Sequence, residues 1–317
     1  MNLVGAFLRL IRFPNLFFIA VTQFLFYFCI VVPRIHEGHF QITEEFKLFL
    51  ILVSSSLSIA AGGYVINDYF DLNIDQINKP SKMVVEKLIH RRWAIIWHWL
   101  FSTAGVVMSS YLSFVTHNWL IGLSNTFCVL LLWFYSTTFK KKLLVGNIII
   151  SLLTAWVVLV VYFFVDEYPA TLLTNIEKPD ELMLRKIFRL AFLYGGFAFI
   201  ISLIREVVKD IEDMEGDSRY GCKTMPIVWC IPVAKVFTAV WLIVLIGAVG
   251  VVQFYALRLG WWISVIYGVT LIILPLIWIF RKLFTASVVS DFSKLSATIK
   301  LVMLTGILSM IFFKIYS

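Results

Sequence analysis

The chain has 317 residues, of which 61% are hydrophobic and 15% are charged, and its mean hydropathy is +0.91. Soluble globular proteins carry about 25% charged residues, so this composition excludes a soluble domain and indicates an integral membrane protein. The net charge of +8 at pH 7 comes mostly from lysines and arginines that lie between apolar segments. That distribution is typical of membrane topology, and we expect no nucleic-acid partner.

Apolar segments of helical length predict nine membrane spans, because they are far longer than the strands of about 10 residues that build an outer-membrane barrel. The predicted spans cover residues 16–32, 48–66, 93–114, 119–135, 143–165, 187–204, 233–255, 261–280 and a short 301–316, with a polar loop over 281–300. No small-residue cleavage site follows the first span, which we expect to be retained. The sequence therefore predicts an all-α polytopic membrane protein with one domain over residues 1–317.

The second span runs into a cluster of three carboxylates, Asp68, Asp71 and Asp75, at positions i, i+3 and i+7. On one helix this spacing places all three on the same face, and Asn67 joins them because it precedes Asp71 by four residues. Like charges this close repel one another unless a cation lies between them. Ionisable residues at the end of a membrane helix are candidates for function.

The same pattern returns at the end of the sixth span. Asp210, Asp213 and Asp217 repeat the spacing, and each lies 142 positions after its counterpart. We therefore expect two halves, about 1–142 and 143–317, that face one polar site. Oxygen ligands in this number favour Mg²⁺, which usually bridges carboxylates to substrate phosphates and keeps several waters.

Basic residues are unevenly shared between alternate loops. The loops that hold both carboxylate clusters and Lys140-Lys141-Lys142 carry most of the lysines and arginines. The positive-inside rule predicts that these loops are cytoplasmic, which places the carboxylate clusters at the cytoplasmic face. The absence of a transit peptide favours a prokaryotic inner membrane.

Carboxylates, cations and a dry apolar interior together favour a substrate with an anionic phosphate head and a hydrocarbon tail. Carboxylate-bound Mg²⁺ would accept charge from a diphosphate, and basic side chains would bind the remaining oxygens. Of the three lysines at 140–142, we expect one to act as a ligand. Two other interpretations stay open for a single acidic cluster, namely an ion path in a transporter and the solvated end of a helix.

Several short motifs match one known family. Asn67-Asp68-xx-Asp71-xxx-Asp75 resembles the first aspartate-rich motif of the UbiA superfamily of intramembrane prenyltransferases, and Asp210-xx-Asp213-xxx-Asp217 resembles the second. Four flanking segments resemble the family's other signatures: Arg12 with Asn15, and residues 78–82, 135–140 and 221–226. In one departure, Lys79 and Lys82 replace arginines, which keeps the charge but loses the planar bidentate geometry.

The resemblance implies nine helices around a central cavity that opens to the bilayer. It also implies Mg²⁺-dependent transfer of a prenyl group from a prenyl diphosphate to a lipophilic acceptor, with no obligate protein partner. The implied metal ligands are Asn67, Asp71, Asp75, Asp213 and Asp217, and Asp68 and Asp210 complete the catalytic carboxylates. The implied diphosphate ligands are Lys82, Lys140 and Lys223. Arg12 and Asn15 would position the acceptor, and the Tyr135 ring would face the allylic carbon and stabilise its developing positive charge.

The second motif and its flanks favour one acceptor. Residues 205–217, followed by Lys-Thr-Met-Pro, look most like the branch that prenylates geranylgeranylglyceryl phosphate, with geranylgeranyl diphosphate as the donor. A phosphorylated acceptor needs additional cations, for which Arg12, Arg205 and Lys209 are candidates. The alternative acceptor is an aromatic precursor of quinones, such as 4-hydroxybenzoate, dihydroxynaphthoate or homogentisate.

Two other classes of protein compete with this interpretation. A secondary transporter would be expected to have inverted repeats and broken helices at the midplane, whereas both carboxylate clusters are predicted at one face. A phosphatidyltransferase that uses CDP-alcohols would carry a differently spaced aspartate motif, which the sequence lacks.

Overall fold

The computed structural model describes residues 3–35, 44–80, 83–166 and 181–316. The α-helices in these ranges are α1 (Leu3–Leu10), α2 (Phe13–Phe26), α3 (Val32–Ile35), α4 (Glu44–Phe70), α5 (Leu72–Asn78), α6 (Arg91–Thr116), α7 (Trp119–Thr137), α8 (Val145–Asp166), α9 (Glu181–Glu212), α10 (Met214–Arg219), α11 (Met225–Val228), α12 (Cys230–Arg258), α13 (Trp262–Gly268), α14 (Leu274–Thr285), α15 (Val289–Leu308) and α16 (Ile311–Ile315). No β-strand occurs within the described ranges, which confirms the all-α prediction.

Nine helical segments of the described chain are long and apolar enough to cross a membrane, as the sequence predicted. They are Phe13–Arg34, Glu45–Phe70, Arg91–Thr116, Trp119–Thr137, Val145–Asp166, Glu181–Glu212, Cys230–Arg258, Trp262–Thr285 and Val289–Ile315. Most extend a few residues beyond the apolar run that predicted them, because polar side chains continue the helix past its apolar part.

The predicted start of the ninth span is wrong. The segment predicted as a polar loop over 281–300 is mostly helical, since α15 begins at Val289 and not near Leu301. Asp291 caps this helix, because its Oδ2 accepts hydrogen bonds from the backbone N–H groups of Ser287 (3.1 Å) and Val288 (3.4 Å). Polar side chains in the first half of α15 hide the helix from a hydropathy pattern.

Two spans contain a π-helical turn that ends two residues before a proline. Val269–Ile273 precedes Pro275 in the eighth span, and Tyr27–Val31 precedes Pro33 in the first. A proline cannot donate a backbone hydrogen bond, and its ring crowds the carbonyl four residues earlier, so the helix widens by one residue. The carbonyl freed by Pro275 belongs to Leu271 and accepts a hydrogen bond from Thr305 Oγ1 at 2.9 Å. This bond ties the eighth span to α15.

Helix packing arranges the spans around α4 and α9, the two helices that end in carboxylate motifs. The helix α4 packs against α6 and α7, and α9 packs against α8, α12 and α15. One buried apolar cluster includes Phe26, Phe49 and Phe164 and joins the first, second and fifth spans. A second cluster joins α9 to α12, α14 and α15, and a third joins α1, α4 and α6. The two motif helices are thus each held by their own apolar neighbours.

The contact between α4 and α6 depends on a glycine. Ser55 Oγ donates a hydrogen bond to Gly105 O at 2.8 Å. A methyl group at position 105 would lie 2.5 Å from Ile59 Cγ1 and 3.2 Å from Ser55 O, so the helices would have to move apart. Only glycine allows this approach of the two backbones.

Gly105→Ala is therefore expected to destabilise the protein by about 1–3 kcal/mol, the usual effect of overpacking. The measurement is the apparent melting temperature of the purified protein in detergent. Gly247→Ala is the matched control, because a methyl group there meets no atom within 4 Å among the described residues. An equal melting temperature for the two variants would contradict the role assigned to Gly105.

Candidate active site

Both aspartate motifs interrupt their helix at the second aspartate. The helix α4 ends at Phe70 and α5 begins at Leu72, while Asp71 between them has φ −84° and ψ 0°. The second motif repeats this geometry, since Asp213 separates α9 from α10 with φ −94° and ψ 4°. The expectation that each trio lies on one uninterrupted helix is therefore wrong.

The i, i+4 hydrogen bonds nevertheless continue through each break. The N–H of Asp71 donates to Asn67 O at 2.9 Å, and the N–H of Asp75 donates to Asp71 O at 2.8 Å. In the second motif the N–H of Asp217 donates to Asp213 O at 3.2 Å. Because the helical spacing persists, the carboxylates stay on one side of each kinked segment.

The two motif ends are held together by the side-chain amide of Asn78. Its Nδ2 donates to Asp213 O at 2.8 Å, and its Oδ1 accepts from the N–H of Gly216 at 2.8 Å. The short helices α5 and α10, which follow the two motifs, pack against each other. The sequence expectation that the two motifs meet at one site is thus met by a direct bridge.

Asp68 is paired with the predicted acceptor residue Arg12. The distance from Arg12 Nη2 to Asp68 Oδ1 is 2.7 Å, and the guanidinium lies over the Tyr64 ring, 5.2 Å from its centroid. Burial opposes the charged form of Arg12, but the Asp68 carboxylate outweighs it and raises the pKa of Arg12. The ion pair fixes the N-terminal end of the first span beside the first motif.

Asp71 is bound on both oxygens. Asn67 Nδ2 donates to Asp71 Oδ2 at 2.7 Å, and the Lys140 ammonium forms an ion pair with Asp71 Oδ1. The Lys140 side chain is only 10% exposed, whereas Lys141 and Lys142 are both exposed. Of the three-lysine loop, the structure places Lys140 alone at the carboxylates.

A glycine lets the turn that carries Lys140 approach the fifth span. A methyl group at Gly146 would lie 2.9 Å from the Cα of Lys140 and 3.1 Å from Phe139 O. The same methyl group would lie 3.3 Å from Cε2 of Tyr135. A side chain at position 146 would therefore crowd both predicted site residues.

The second motif has its own partners. Lys79, which follows the first motif, donates from Nζ to Asp213 Oδ2 at 2.5 Å. Asp210 Oδ2 accepts a hydrogen bond from Asn147 Nδ2 at 2.8 Å. The ion pair of Lys79 joins the two halves, whereas Asn147 is a neutral partner from the same half as Asp210.

The third aspartate of each motif differs from the others. Neither Asp75 nor Asp217 forms an ion pair with any residue in the described ranges. Burial, followed by the charges of Asp71 and Asp68, raises the pKa of Asp75 to about 6. Burial, followed by the charges of Asp213 and Asp71, raises the pKa of Asp217 to about 7. Because Asp71 acts on Asp217, the two carboxylate clusters face each other.

These residues fit a divalent cation that shares its ligands with a substrate. Asn67 Oδ1 is buried and accepts no hydrogen bond from the described chain, which leaves an oxygen ligand beside Asp71 and Asp75. Over the described ranges, no three His, Cys, Asp or Glu side chains are placed to hold a metal ion by themselves. Mg²⁺ commonly uses one or two carboxylates and completes its coordination with waters and substrate phosphates, so this donor set suits it.

The remaining predicted site residues differ in how close they lie to the aspartate motifs. Tyr135 is partly buried on α7 and interacts electrostatically with Glu206, Asp71 and Asp210. Asn15 Oδ1 accepts a hydrogen bond from Lys300 Nζ at 2.8 Å. Lys223 is exposed, its backbone N–H donates to Lys141 O at 2.8 Å, and its side chain forms no ion pair with a carboxylate of the described chain. Lys82 lies outside the described residues.

A family model for UbiA prenyltransferases matches residues 36–305. The chain belongs to the UbiA prenyltransferase family. Digeranylgeranylglyceryl phosphate synthase from Methanothermobacter thermautotrophicus is 32% identical over 204 residues, 64% of each protein, so the chain spans slightly less than two thirds of that relative. The synthase of the same name from Sulfolobus acidocaldarius is 32% identical over 228 residues, 71% of this chain and 69% of that protein.

Structural similarity extends over nearly the whole chain. A UbiA homologue from Archaeoglobus fulgidus, solved with DMAPP and Mg²⁺, has a TM-score of 0.56 and 16% identity, and covers 96% of this chain and 98% of its own. At this level of identity the comparison establishes the fold. The family and the prenyltransferase class expected from the aspartate motifs are confirmed.

Sequence reasoning missed four residues of this UbiA site. Asn78 and Lys79 were noted only as part of a resemblance, and Asn147 and Lys300 were not noted. An amide inside a long apolar segment was an available signal for Asn147, because buried polar groups in membrane helices have partners. Lys300 stood at the end of a segment predicted as a loop, where a lysine carries little information.

The bridge between the two motifs is expected to depend on Gly216. A methyl group at this position would lie 2.5 Å from Asn78 Oδ1, so Gly216→Ala should displace the amide, separate α5 from α10 and reduce both stability and activity. The measurements are the apparent melting temperature and the prenyl-transfer rate.

A double-mutant cycle tests the cause. Asn78→Ala removes the obstructing amide, so Gly216→Ala should cost little when it is added to Asn78→Ala. Fully additive losses from the two substitutions would contradict a direct clash between these side chains.

Proposed function

We propose that this UbiA-family protein transfers a geranylgeranyl group from geranylgeranyl diphosphate to geranylgeranylglyceryl phosphate and requires Mg²⁺. The observation that carries the proposal is the pair of aspartate motifs joined through Asn78, with a lysine on the central carboxylate of each. The names of the two relatives support the donor and acceptor. In the reaction, the allylic C–O bond of the donor breaks and diphosphate leaves, while the acceptor oxygen bonds to the allylic carbon and its hydroxyl proton is lost.

The diphosphate binds where the two motifs meet. Mg²⁺ would be held by Asn67, Asp71, Asp75, Asp213 and Asp217, and it neutralises the charge that develops on the leaving diphosphate. Lys140 and Lys79 each lie on a motif carboxylate, from which their ammonium groups can turn to phosphate oxygens. The protein thus keeps cations at the site before the anionic substrate arrives.

The allylic carbon lies beside the ring of Tyr135 in this proposal. Tyr135 packs on Gly146 one turn from the Lys140 loop, which connects the position of the ring to that of the diphosphate ligand. An aromatic face stabilises a neighbouring cation through its quadrupole. The apolar helices around the site exclude water, which would otherwise react with the carbocation.

An aromatic acceptor remains the second candidate. The Arg12 guanidinium with Asn15 could bind the carboxylate of 4-hydroxybenzoate as readily as it could position a glycerol ether. The glyceryl phosphate is favoured because the relatives carry its name and because the site holds more cations than one carboxylate needs. A transporter is disfavoured, since both motifs meet at one end of the helices.

We also propose that the protein lies in the inner membrane of a prokaryotic cell and that its active site faces the cytoplasm. The exposed Lys141 and Lys142 lie beside the motif end of the helices and support this orientation through the positive-inside rule.

The direct test is a transfer assay with labelled geranylgeranyl diphosphate, offered in turn with geranylgeranylglyceryl phosphate and with the three aromatic acceptors. We expect transfer to geranylgeranylglyceryl phosphate only, and no transfer in excess chelator. Asp71→Asn and Asp213→Asn should each lower kcat by about a hundredfold or more, since they remove charge that stabilises the leaving group.

Glu215→Gln is the matched control for these variants. Glu215 belongs to the second motif's sequence, but its side chain is 70% exposed and pairs with Arg219 on the surface. It should keep wild-type activity. Full activity of the wild type in chelator would refute the metal requirement, and transfer to an aromatic acid alone would refute the acceptor.

The three-lysine loop provides a second comparison. Lys140→Met should raise KM for the diphosphate donor about tenfold or more, since a hydrogen bond to a charged group contributes about 1.5–3 kcal/mol. Lys141→Met removes the same charge from the exposed neighbour and should leave this KM nearly unchanged. Equal effects of the two substitutions on steady-state kinetics would mean that general electrostatic attraction, and not the contact at Asp71, binds the donor.

A further inference from the structure

Lys300 lies in α15, inside the ninth span, and reaches back to the first span. Its ammonium donates to Asn15 Oδ1 at 2.8 Å and lies over the Phe18 ring, 5.0 Å from the centroid. The side chain is partly buried. A lysine that extended to the membrane surface would instead carry its ammonium into water. Lys300 is therefore directed to other protein groups.

No carboxylate of the described chain forms an ion pair with Lys300. Its only side-chain hydrogen-bond partner within the described ranges is the neutral amide of Asn15. The charges that act on it are those of Arg205 and Arg12, and both are positive. A partly buried ammonium among like charges is unfavourable unless an anion joins it.

The two neighbouring arginines are each matched by one carboxylate. Arg12 pairs with Asp68 at 2.7 Å, and Arg205 pairs with Glu206 at 2.9 Å. Of these three cations, Lys300 is the one that has no carboxylate partner in the described chain.

Arg205 also has an unused donor. Its Nη1 is hydrogen-bonded to Glu206, but its Nε–H is buried and has no hydrogen-bond partner among the described residues. A buried donor without a partner costs free energy, and a guanidinium edge is suited to a phosphate oxygen. The Lys300 ammonium and the Arg205 Nε–H are therefore both able to donate to an anionic oxygen.

We propose that Lys300 and Arg205 bind the phosphate of the acceptor, and that Lys300 makes the enzyme select a phosphorylated acceptor. This inference rests on the proposed function and adds Lys300 to Arg205, which the sequence had already made a candidate for the acceptor's phosphate. Asn15, which the sequence assigned to the acceptor, holds the ammonium in place. The ligand chemistry is a phosphomonoester on a glycerol ether.

The donor diphosphate has other cations. Lys140 and Lys79 lie on the carboxylates of Asp71 and Asp213, where the metal-binding motifs meet. Arg12 lies between the two groups, because it pairs with Asp68 of the first motif and also acts on Lys300. The two anionic heads would thus bind on either side of Arg12, which leaves the acceptor hydroxyl free to approach the allylic carbon.

The test compares Lys300→Gln with the wild type in steady-state transfer from labelled geranylgeranyl diphosphate. Glutamine keeps a hydrogen-bond donor for Asn15 but removes the charge. We expect KM for geranylgeranylglyceryl phosphate to rise at least about tenfold, with KM for the donor nearly unchanged. Lys300→Arg keeps the charge and should restore most of the acceptor affinity.

A second readout separates recognition from support of the fold. The wild type should use the phosphorylated acceptor far better than the corresponding dephosphorylated alcohol, and Lys300→Gln should lose most of this preference. Lys294→Gln, on the exposed side of α15, is the matched control and should keep both KM values. A packing defect alone would lower activity on both acceptors alike and would overturn the proposal.

The wild-type protein gives a further measurement that does not depend on the folding of a variant. Glycerol phosphate should inhibit competitively against the acceptor but not against the donor, and glycerol should not inhibit. Competition with the donor alone would overturn the inference.

The outcomes also separate the inference from the proposed function. Wild-type transfer to the phosphorylated acceptor, with an unchanged acceptor KM in Lys300→Gln, would refute the role of Lys300 and leave the function standing. No wild-type transfer to that acceptor would refute both.

Discussion

The structure depends on one electrostatic constraint: buried carboxylates that lie close together repel one another unless positive charge lies between them. The first two aspartates of each motif form ion pairs or hydrogen bonds with groups from elsewhere in the chain: Arg12, Lys140, Lys79 and the amide of Asn147. The third aspartates, Asp75 and Asp217, have no such partner in the described chain. Since removing a charge from water costs several kcal/mol unless it is compensated, these two positions are where a bound cation has most to contribute.

The same constraint explains local geometry that would otherwise be costly. Arg12 adopts a left-handed backbone conformation, with φ 50° and ψ 53°, which costs about 1–2 kcal/mol in a residue other than glycine. The hydrogen bond from its guanidinium to Asp68 offsets that cost, because a bond to a charged group contributes about 1.5–3 kcal/mol. Two glycines also serve this arrangement, because neither has a side chain. Gly146 leaves room for the turn that carries Lys140, which places the ammonium at the first motif. Gly216 leaves room for the Asn78 amide, which joins the second motif to the first.

The sequence predicted those parts of the molecule that follow from composition and spacing. Nine spans, the repeated aspartates and the family could be predicted because apolar length and carboxylate periodicity are local signals. The kink at Asp71 could not be predicted from the spacing. The i, i+4 hydrogen bonds on either side of the break keep the side chains at the same spacing as in a straight helix. The start of α15 at Val289 was hidden by its polar residues. Asn78 and Lys300 act on partners 135 and 285 positions away, and a single sequence gives no sign of such contacts.

The two halves repeat a motif but do not repeat its surroundings, and this asymmetry determines what each can do. Asp68 binds a guanidinium, whereas its counterpart Asp210 binds a neutral amide. The guanidinium on Asp68 belongs to Arg12, which also acts on Lys300, so the first motif is connected to a second group of cations. An enzyme that joins two anionic lipids must bind both heads without letting them repel each other. In the proposed reaction Arg12 would lie between the two heads, where its positive charge would reduce their mutual repulsion.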